Sequence, residues 1–236
     1  YMLTFNKVIG RTFSSFINGK FYPIGSFRSN TQRKKLKIKK FDLCYISSWA
    51  DIENNHKLYQ QITWSRFNKS QTDLLKNLIS YAEKYNKKLY VYGKKKEKNL
   101  AEKEKNYYKA ILGGKNWKFI PSDKSKSYEY IDLAKIVVTL NSTLGYESFV
   151  RGNKTIFFST RPVHTSLESL RFGWPANFSK KGFFWTNDPS FNACEKIIRE
   201  LSTLSDKKWK KIVTKYSKVL MFKDNGNKKF KNICDL

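Results

Sequence analysis

The sequence predicts an α/β fold: a Rossmann-like parallel sheet with helices on both faces. From Phe41 onward, short apolar runs alternate with amphipathic helical stretches, which is the pattern of successive βαβ units. One unit is complete within residues 135–159, where a buried strand leads into a Ser/Thr/Gly turn, a short helix ending at Gly152 and a second buried strand.

The other elements follow from the same patterns. Apolar runs bounded by turn residues predict further strands at residues 41–46, 89–92, 117–120 and 182–185. A Ser-x-x-Asp box, Ser70 and Asp73, predicts the start of a helix over residues 70–85. Further helices are predicted at residues 94–109, which should be exposed, and at 128–134, 188–204 (with Asp188 as N-cap and Pro189 as first residue) and 206–220.

Residues 1–40 differ in pattern from residues 41–236, which are expected to form one Rossmann-like α/β domain. Short strands are predicted at residues 2–5 and 20–26, and a basic connector follows at residues 33–40. Because the chain begins at Tyr1 within a predicted strand, we interpret residues 1–40 as an interdomain segment that follows a truncated N-terminal domain.

The net charge of +28 suggests an anionic partner, but the kind of basic residue argues against nucleic acid. Only eight of the 47 basic residues are Arg, the residue best suited to forked phosphate and base contacts. The lysines are spread through every predicted helix, so solvated helix faces explain most of the charge. Attraction to an anionic membrane surface is the functional alternative, and the last helix is the element expected to provide it.

The cysteine and histidine content indicates a reducing compartment and no structural metal. The three cysteines are widely spaced and form no CxxC pair, and the chain has only two histidines. No apolar run reaches the length of a transmembrane helix. We therefore expect a cytoplasmic protein, with the inner leaflet as a second location.

The turn that opens the helix of the βαβ unit predicts a phosphate site. Ser142, Thr143 and Gly145 lie where backbone N–H groups and the helix dipole favour an anion. Glu147 lies one helical turn beyond Thr143, where a carboxylate suits a ribose diol better than a phosphate. Two simpler interpretations remain open: Glu147 could pair with Arg151 at i+4, and Ser142 could serve as an N-cap.

Three segments resemble a known family. Residues 141–152, Asn-Ser-Thr-Leu-Gly-Tyr-Glu-Ser-Phe-Val-Arg-Gly, resemble the nucleotide-sugar signature of bacterial GT-B glycosyltransferases of the capsule and Kdo-type group, which build surface carbohydrate. Residues 21–30 are similar to the segment where such proteins cross between their domains, and residues 221–227 resemble their tail motif. The resemblance implies the C-terminal, donor-binding domain of a GT-B fold, with the N-terminal domain largely missing.

The resemblance also implies roles for particular residues. Ser142, Thr143 and the backbone up to Gly145 would hold the donor phosphate, and Glu147 would accept hydrogen bonds from the ribose hydroxyls. The loop at residues 121–127, with Ser125 and Ser127, would border the base or phosphate. Ser47 and Ser48, at the end of the first strand of the domain, touch phosphate or form an ordinary loop, and the sequence leaves both interpretations open.

The implied reaction transfers a sugar from a nucleotide-activated donor to a surface polysaccharide or a lipid-linked glycan. Such enzymes use no metal or other cofactor, because the helix dipole and hydroxyls stabilise the leaving phosphate. Residues 120–123, Ile-Pro-Ser-Asp, stand where several CMP-sugar transferases carry a His-Pro pair, so the donor could be CMP-, CDP- or UDP-linked. The catalytic base usually comes from the N-terminal domain, and none is assigned here.

Two other classes of function remain open. A nucleotide-sugar epimerase or a polyol-phosphate transferase would keep the fold and change the chemistry, whereas a basic nucleic-acid-binding module would use the lysines alone. Several side chains are interpreted as structural rather than functional: Arg28 as solvated, His164 as incidental, residues 224–227 as a turn, and the aromatic residues of 172–185 as core or a docking surface.

Overall fold

The computed structural model describes residues 1–32, 38–52, 57–59, 62–114, 116–123 and 125–234. The strands among them are β1 (Met2–Thr4), β2 (Phe21–Pro23), β3 (Phe41–Ile46), β4 (Lys57–Tyr59), β5 (Ile62–Thr63), β6 (Leu89–Tyr92), β7 (Trp117–Ile120), β8 (Ala134–Thr139), β9 (Thr155–Phe158) and β10 (Trp185–Thr186). The α-helices are α1 (Lys7–Ser14), α2 (Phe27–Thr31), α3 (Trp64–Lys84), α4 (Lys98–Leu112), α5 (Ser127–Leu133), α6 (Thr143–Val150), α7 (Arg161–Thr165), α8 (Phe191–Thr203), α9 (Asp206–Leu220) and α10 (Lys228–Ile233).

Six strands form one parallel sheet in the order β10-β9-β8-β3-β6-β7. The chain builds from β3 through β6 to β7 on one side, then returns to β8 and continues through β9 to β10 on the other. The direction of building therefore reverses between β3 and β8, and such a reversal leaves a crevice at the carboxyl ends of the two strands.

The two faces of the sheet are covered by different helices. Leu43 and Tyr45 of β3 belong to the larger hydrophobic cluster, and Cys44 and Ile46 belong to the smaller one, because successive side chains of a strand point to opposite faces. Helices α3, α4, α6, α8 and α9 contribute to the larger cluster, and α5 contributes to the smaller one. The predicted fold class, a parallel sheet flanked by helices, is confirmed.

The irregular stretch between α7 and β10 supplies aromatic core. Phe172 stacks on Trp185 with ring centroids 4.6 Å apart, and Phe184 stacks on Phe149 of α6 at 4.7 Å. Trp209 of α9 meets the Phe149 ring edge-on at 5.5 Å. These contacts confirm the core interpretation for the buried members of this stretch.

Residues 1–32 form a small unit of their own. Strands β1 and β2 pair in parallel around α1, and α2 follows. The tail after α9 holds this unit in place: the Phe222 N–H donates to the Phe5 carbonyl at 2.8 Å, and Asn30 Nδ2 donates to Asn227 Oδ1 at 2.9 Å. The two segments that resemble an interdomain crossing and a tail motif therefore contact each other. The proposed boundary at residue 40 remains a prediction.

Several predicted elements agree closely with the structure. The predicted bounds of β3, β6, β7 and α9 match the observed ones, and the βαβ unit is present as β8, α6 and β9. The predicted strand at residues 182–185 is displaced, since β10 comprises Trp185 and Thr186. Most of the predicted basic connector, residues 33–37, lies outside the described residues. Within the described part, no helix combines the length and apolarity needed to cross a bilayer.

The predicted starts of two helices were wrong. Helix α3 begins at Trp64, where the Thr63 hydroxyl accepts from the Arg66 N–H at 3.4 Å, and Ser70 is a fully buried residue in its interior. Helix α8 begins at Phe191, with Ser190 rather than Asp188 as the N-cap. In each case the sequence offers a capping residue at one position, Ser70 or Asp188. The folded chain instead caps the helix with the hydroxyl of another residue, Thr63 or Ser190.

Helix α4 was predicted to be exposed, and that prediction was also wrong. It begins at Lys98 and buries Glu104, Tyr108 and Leu112 against the sheet. The high charge of the segment obscured the i, i+4, i+8 spacing of these three residues, which places them on one inward-facing stripe of the helix. The carboxylate of Glu104 lies inside because it accepts hydrogen bonds from backbone N–H groups, which offset the cost of burying its charge.

Gly25 joins the leading unit to the tail, and its replacement should weaken the fold. Its φ is +75°, and a Cβ there would lie 1.8 Å from the Phe222 carbonyl oxygen. Gly226 has nearly the same φ, +73°, but a Cβ there would meet nothing within 4 Å. We therefore expect Gly25→Ala to lower the free energy of unfolding by about 1–3 kcal/mol more than Gly226→Ala, measured by urea denaturation. Equal losses would show that backbone strain alone matters.

Candidate functional site

The turn between β8 and α6 is a tight corner held by Thr139. Its hydroxyl accepts from the Ser142 N–H at 3.1 Å, which turns the chain out of the strand and into the helix. Gly145 lies against the same side chain, and a Cβ there would come 2.5 Å from Thr139 Cγ2. Glycine at position 145 thus permits the first turn of α6 to approach the strand closely.

The first turn of α6 presents polar groups that are not used within the described residues. The Ser142 side chain forms no capping hydrogen bond and is half-buried, and Thr143 is exposed. The N–H groups of Thr143 and Leu144 likewise have no partner in the described part of the chain, as is usual at a helix start. These groups and the dipole of α6 form a surface that suits an anion.

Glu147 lies one turn further along α6, in a polar and nearly closed environment. It is 9% exposed, and its Oε1 accepts a short hydrogen bond from the Ser26 hydroxyl. Burial, together with the nearby Glu147 carboxylate, raises the pKa of the Tyr128 phenol to about 12. The alternative partner considered for Glu147, Arg151, instead forms an ion pair with Asp132. The Glu147 carboxylate is therefore not paired with Arg151, and one of its oxygens accepts from the Ser26 hydroxyl.

The two serines predicted in the loop after β7 have different surroundings: one faces solvent, and the other is buried near the candidate site. Ser125 is exposed and donates to Asp123 Oδ1 at 2.6 Å within the turn itself. Ser127 is buried at the start of α5 and accepts from Arg28 Nη2 at 3.2 Å. The Arg28 guanidinium also lies 5.0 Å from the centre of the Tyr128 ring. Arg28 is thus exposed along part of its length and still contacts the residues around Glu147.

Ser47, at the end of β3, has its hydroxyl committed inside the protein. It donates to Glu104 and lies 2.6 Å from the Tyr108 hydroxyl. The Glu104 carboxylate in turn accepts from the N–H groups of Lys94 and Lys95, so this buried cluster fixes the ends of β3 and β6. Ser48 is half-buried beside it. A phosphate contact by Ser47 or Ser48 remains a prediction.

The structure brings some of the predicted residues together and keeps others apart. Helix α6 and its N-cap carry four of them: Ser142, Thr143, Gly145 and Glu147. Ser127 lies nearby, because it accepts from Arg28, whose guanidinium lies over the Tyr128 ring. Ser47, Ser48 and Ser125 lie on other loops of the same sheet edge. Sequence reasoning missed Ser26, which donates to Glu147, and Tyr128, whose pKa the Glu147 carboxylate helps to raise. It also missed Arg161, whose Nη1 donates to Asn141 Oδ1.

The other segments singled out in the sequence have structural contacts. The tail at residues 224–227 forms a turn, as predicted, and its Asn227 Nδ2 donates to the Phe27 carbonyl at 3.0 Å. His164 is half-buried with its Nε2 3.3 Å from Asp73 Oδ2. Burial lowers the pKa of His164, so it is neutral at physiological pH.

Two cavities lie at opposite edges of the sheet. A small one of about 130 Å³ borders Asn141, Thr143 and Tyr146 at the corner, together with Phe5 and Trp174. A larger one of about 1020 Å³ lies at the amino edge of the strands, with a lining that includes Lys39, Lys87, Lys135 and Lys154. We assign the candidate site to the corner because the unpaired groups at the start of α6 lie there, whereas the larger cavity borders the other end of that helix.

The contact between Gly145 and Thr139 can be tested by a pair of substitutions. Gly145→Ala should lower the free energy of unfolding by about 1–3 kcal/mol, because the added methyl overlaps Thr139 Cγ2. Thr139→Ser removes that methyl and keeps the hydroxyl that binds the Ser142 N–H. The double variant should therefore be more stable than the sum of the single losses predicts, in denaturation curves. Strictly additive losses would contradict this account of the corner.

Solved structures with the same architecture exist at low sequence identity. The Methanocaldococcus jannaschii UDP-GlcNAc 2-epimerase, in complex with UDP-GlcNAc and UDP, superposes with a TM-score of 0.58 at 11% identity over 100% of this chain and 60% of its own. The wall teichoic acid polymerase TagF gives 0.56 at 12% identity, over 100% and 56%. Accessory secretory proteins 1, 2 and 3 of Streptococcus pneumoniae give 0.52 at 12%, over 99% and 42%.

These similarities establish the GT-B Rossmann-like fold, and the chain spans about half the length of the structures it resembles. No curated protein sequence matches the chain. A family model does match, and it does so over residues 1–235. On that match, the chain belongs to the protein family described as "putative O-antigen biosynthesis protein".

Proposed function

We propose that this chain is the donor-binding part of a glycosyltransferase that moves a sugar from an activated nucleotide to a surface polysaccharide or lipid-linked glycan. The observation that carries the proposal is the β8–α6 corner. It combines unpaired N–H and hydroxyl groups at the helix start with a carboxylate one turn further along the same helix. Membership of an O-antigen biosynthesis family supports a substrate of the surface-carbohydrate class.

The start of α6 would bind the donor phosphates. The N–H groups of Thr143 and Leu144 and the hydroxyls of Ser142 and Thr143 are donors, and the helix dipole adds a fixed positive potential. These groups would also stabilise the charge that develops on the phosphate as the sugar leaves. Because they supply that stabilisation themselves, we propose that the reaction needs no metal ion or other cofactor.

Glu147 would bind the ribose of the donor. Its carboxylate already accepts one hydrogen bond from a hydroxyl group, that of Ser26. Each carboxylate oxygen can accept two, so a ribose hydroxyl could replace Ser26 or bind beside it. Ser127, Tyr128 and Arg28 surround this position and would define where the nucleoside lies. The nucleobase is left open among cytosine and uracil, so the donor would be CMP-, CDP- or UDP-linked.

Two related reactions would use the same corner. One structure of similar fold is a UDP-GlcNAc 2-epimerase and another is a wall teichoic acid polymerase, so epimerisation of a nucleotide-sugar and transfer of a polyol phosphate are the alternatives on this fold. Product analysis separates them, because an epimerase converts its donor without any acceptor. A basic nucleic-acid-binding module is a third class, and it predicts binding to unrelated DNA that falls steeply with salt.

The proposal predicts how a change at Glu147 affects donor binding. In the full-length protein, Glu147→Gln should weaken the preferred donor among CMP-, CDP- and UDP-sugars about 10- to 100-fold, because a charge-assisted hydrogen bond to the ribose is lost. Titration calorimetry measures the change. Glu168→Gln removes an exposed carboxylate elsewhere and should leave the affinity unchanged. Failure of the wild type to bind any of these donors would refute the proposal.

We further propose that α9 holds the protein at the inner leaflet of the cytoplasmic membrane. Its apolar residues Trp209 and Leu220 are buried in the domain, and the opposite face is basic and exposed, with Lys207, Lys208, Lys210, Lys211, Lys215 and Lys218. Lysines near an anionic surface each contribute roughly 1 kcal/mol of attraction. A lipid-linked acceptor would bring the enzyme to such a surface.

Vesicle sedimentation tests the contribution of α9. Replacing three of its lysines with Gln should lower binding to anionic vesicles roughly tenfold or more, and should not affect neutral vesicles. The lysines to replace are Lys207, Lys211 and Lys218. A control variant removes the same charge from α4 at Lys98, Lys105 and Lys109. Equal losses in the two variants would mean that net charge, and not α9, governs the attraction.

A further inference from the structure

Arg161 follows β9, the strand next to β8 in the sheet. Its side chain reaches back toward the point between β8 and β3 where the strand order reverses. Arg161 is the first residue after the β9 segment to enter α7, and its Nη1 reaches back to donate to Asn141 Oδ1, at the end of β8. Asn141 lies just after β8, so the guanidinium lies beside the carboxyl end of that strand, and the phenols of Tyr45, on the neighbouring β3, and Tyr108 help to raise its pKa against the opposing effect of burial. Ligands of open α/β sheets bind in the crevice at this point.

The guanidinium of Arg161 is buried without a compensating charge among the described residues. The residue is 6% exposed, its guanidinium carbon lies 3.9 Å from the centre of the Phe67 ring, and its Nε has no hydrogen-bond partner among the described residues. Within the same part of the chain it forms no ion pair with a carboxylate. Burial lowers the pKa of Arg161 to about 10, which still leaves it charged at neutral pH.

Arg151 is a second buried arginine, and its contacts can be compared with those of Arg161. Arg151 is 8% exposed, and its guanidinium forms an ion pair with Asp132 and donates to the Gln32 carbonyl at 2.8 Å. It also lies over an aromatic ring, that of Tyr128, at 4.6 Å. The two sites are alike in burial and ring contact, and they differ in the carboxylate. A buried charge without a partner is costly, so the missing anion at Arg161 calls for an explanation.

The surroundings of Arg161 favour an anionic ligand as that explanation. Asn141, which Arg161 contacts, directly precedes Ser142 and the unpaired N–H groups at the start of α6. A phosphate bound at that helix start would therefore lie beside the guanidinium. Arginine is also the residue whose planar fork best matches two phosphate oxygens.

We propose that Arg161 is a phosphate-binding residue, and that together with Ser142 and the first turn of α6 it binds the diphosphate or monophosphate of the nucleotide donor. This inference rests on the proposed function and adds to it the residue that neutralises the phosphate. The phosphate would supply the negative charge that Arg161 lacks among the described residues, and the guanidinium would add a full positive charge to the partial one of the helix dipole. Asn141 orients the guanidinium toward the helix start.

The test compares nucleotides with their nucleosides. Calorimetry would measure the binding of UDP, CDP and CMP, and of uridine and cytidine, to the full-length protein. Arg161→Gln should weaken nucleotide binding about 10- to 100-fold and change nucleoside binding less than about twofold, because only the phosphate contact is lost. Arg161→Lys, which keeps the charge and loses the fork, should give an intermediate loss. Arg199→Gln removes an exposed arginine on α8 and should change neither.

A second readout distinguishes the phosphate role from a structural one. Pyrophosphate should raise the melting temperature of the wild type, and it should raise that of Arg161→Gln much less, since a ligand that binds only the native state stabilises it. If Arg161→Gln weakens nucleotide and nucleoside equally, or keeps the full pyrophosphate effect, the inference is overturned. If the wild type binds pyrophosphate through Arg161 but no nucleotide, the inference stands as an anion site and the proposed function fails.

Discussion

The close approach of α6 to β8 is the constraint on which the site depends. Gly145 lets the helix lie directly on Thr139, and the Thr139 hydroxyl turns the chain by binding the Ser142 N–H. A bulkier residue at position 145 would move the helix start away from the sheet edge. The N–H groups of the first turn would then no longer face the crevice between β3 and β8, and Glu147 would lose its contact with the leading unit.

Buried polar contacts help to fix the leading unit to the domain. Ser26, Asn30 and Asn227 form hydrogen bonds between segments far apart in sequence, with Glu147 receiving one of them. Because these groups are buried, each would be costly to leave unpaired, and so the contacts specify one arrangement of the two segments. The same arrangement places Arg28 and Tyr128 around the carboxylate. The leading unit thus contributes side chains to the candidate site.

The basic residues behind the net charge of +28 fall into two groups with different surroundings. Most lysines lie on solvated helix faces, as on α9, where they act collectively on distant anions and are screened by salt. Two arginines are buried instead, and burial makes each depend on a specific partner. Arg151 has an internal one in Asp132, whereas Arg161 has none among the described residues. The net charge therefore does not distinguish the many solvated lysines from the two buried arginines of the described residues, whose surroundings differ.

The sequence by itself determined the elements whose signal is local. Apolar runs bounded by turn residues located β3, β6 and β7, a period-3.6 pattern located α9, and the Ser-Thr-x-Gly turn between two buried strands located the α6 corner, for which anion binding remains a prediction. Tertiary structure decided what depends on distant partners. Ser26 reaches Glu147 across 121 positions, the inward stripe of α4 exists because Glu104 binds the ends of two strands, and α3 begins at Thr63 rather than at Ser70. Hydrogen bonds and burial between distant segments leave no periodic trace in a sequence, so only the folded chain reveals which of two similar arginines has no counterion among the described residues.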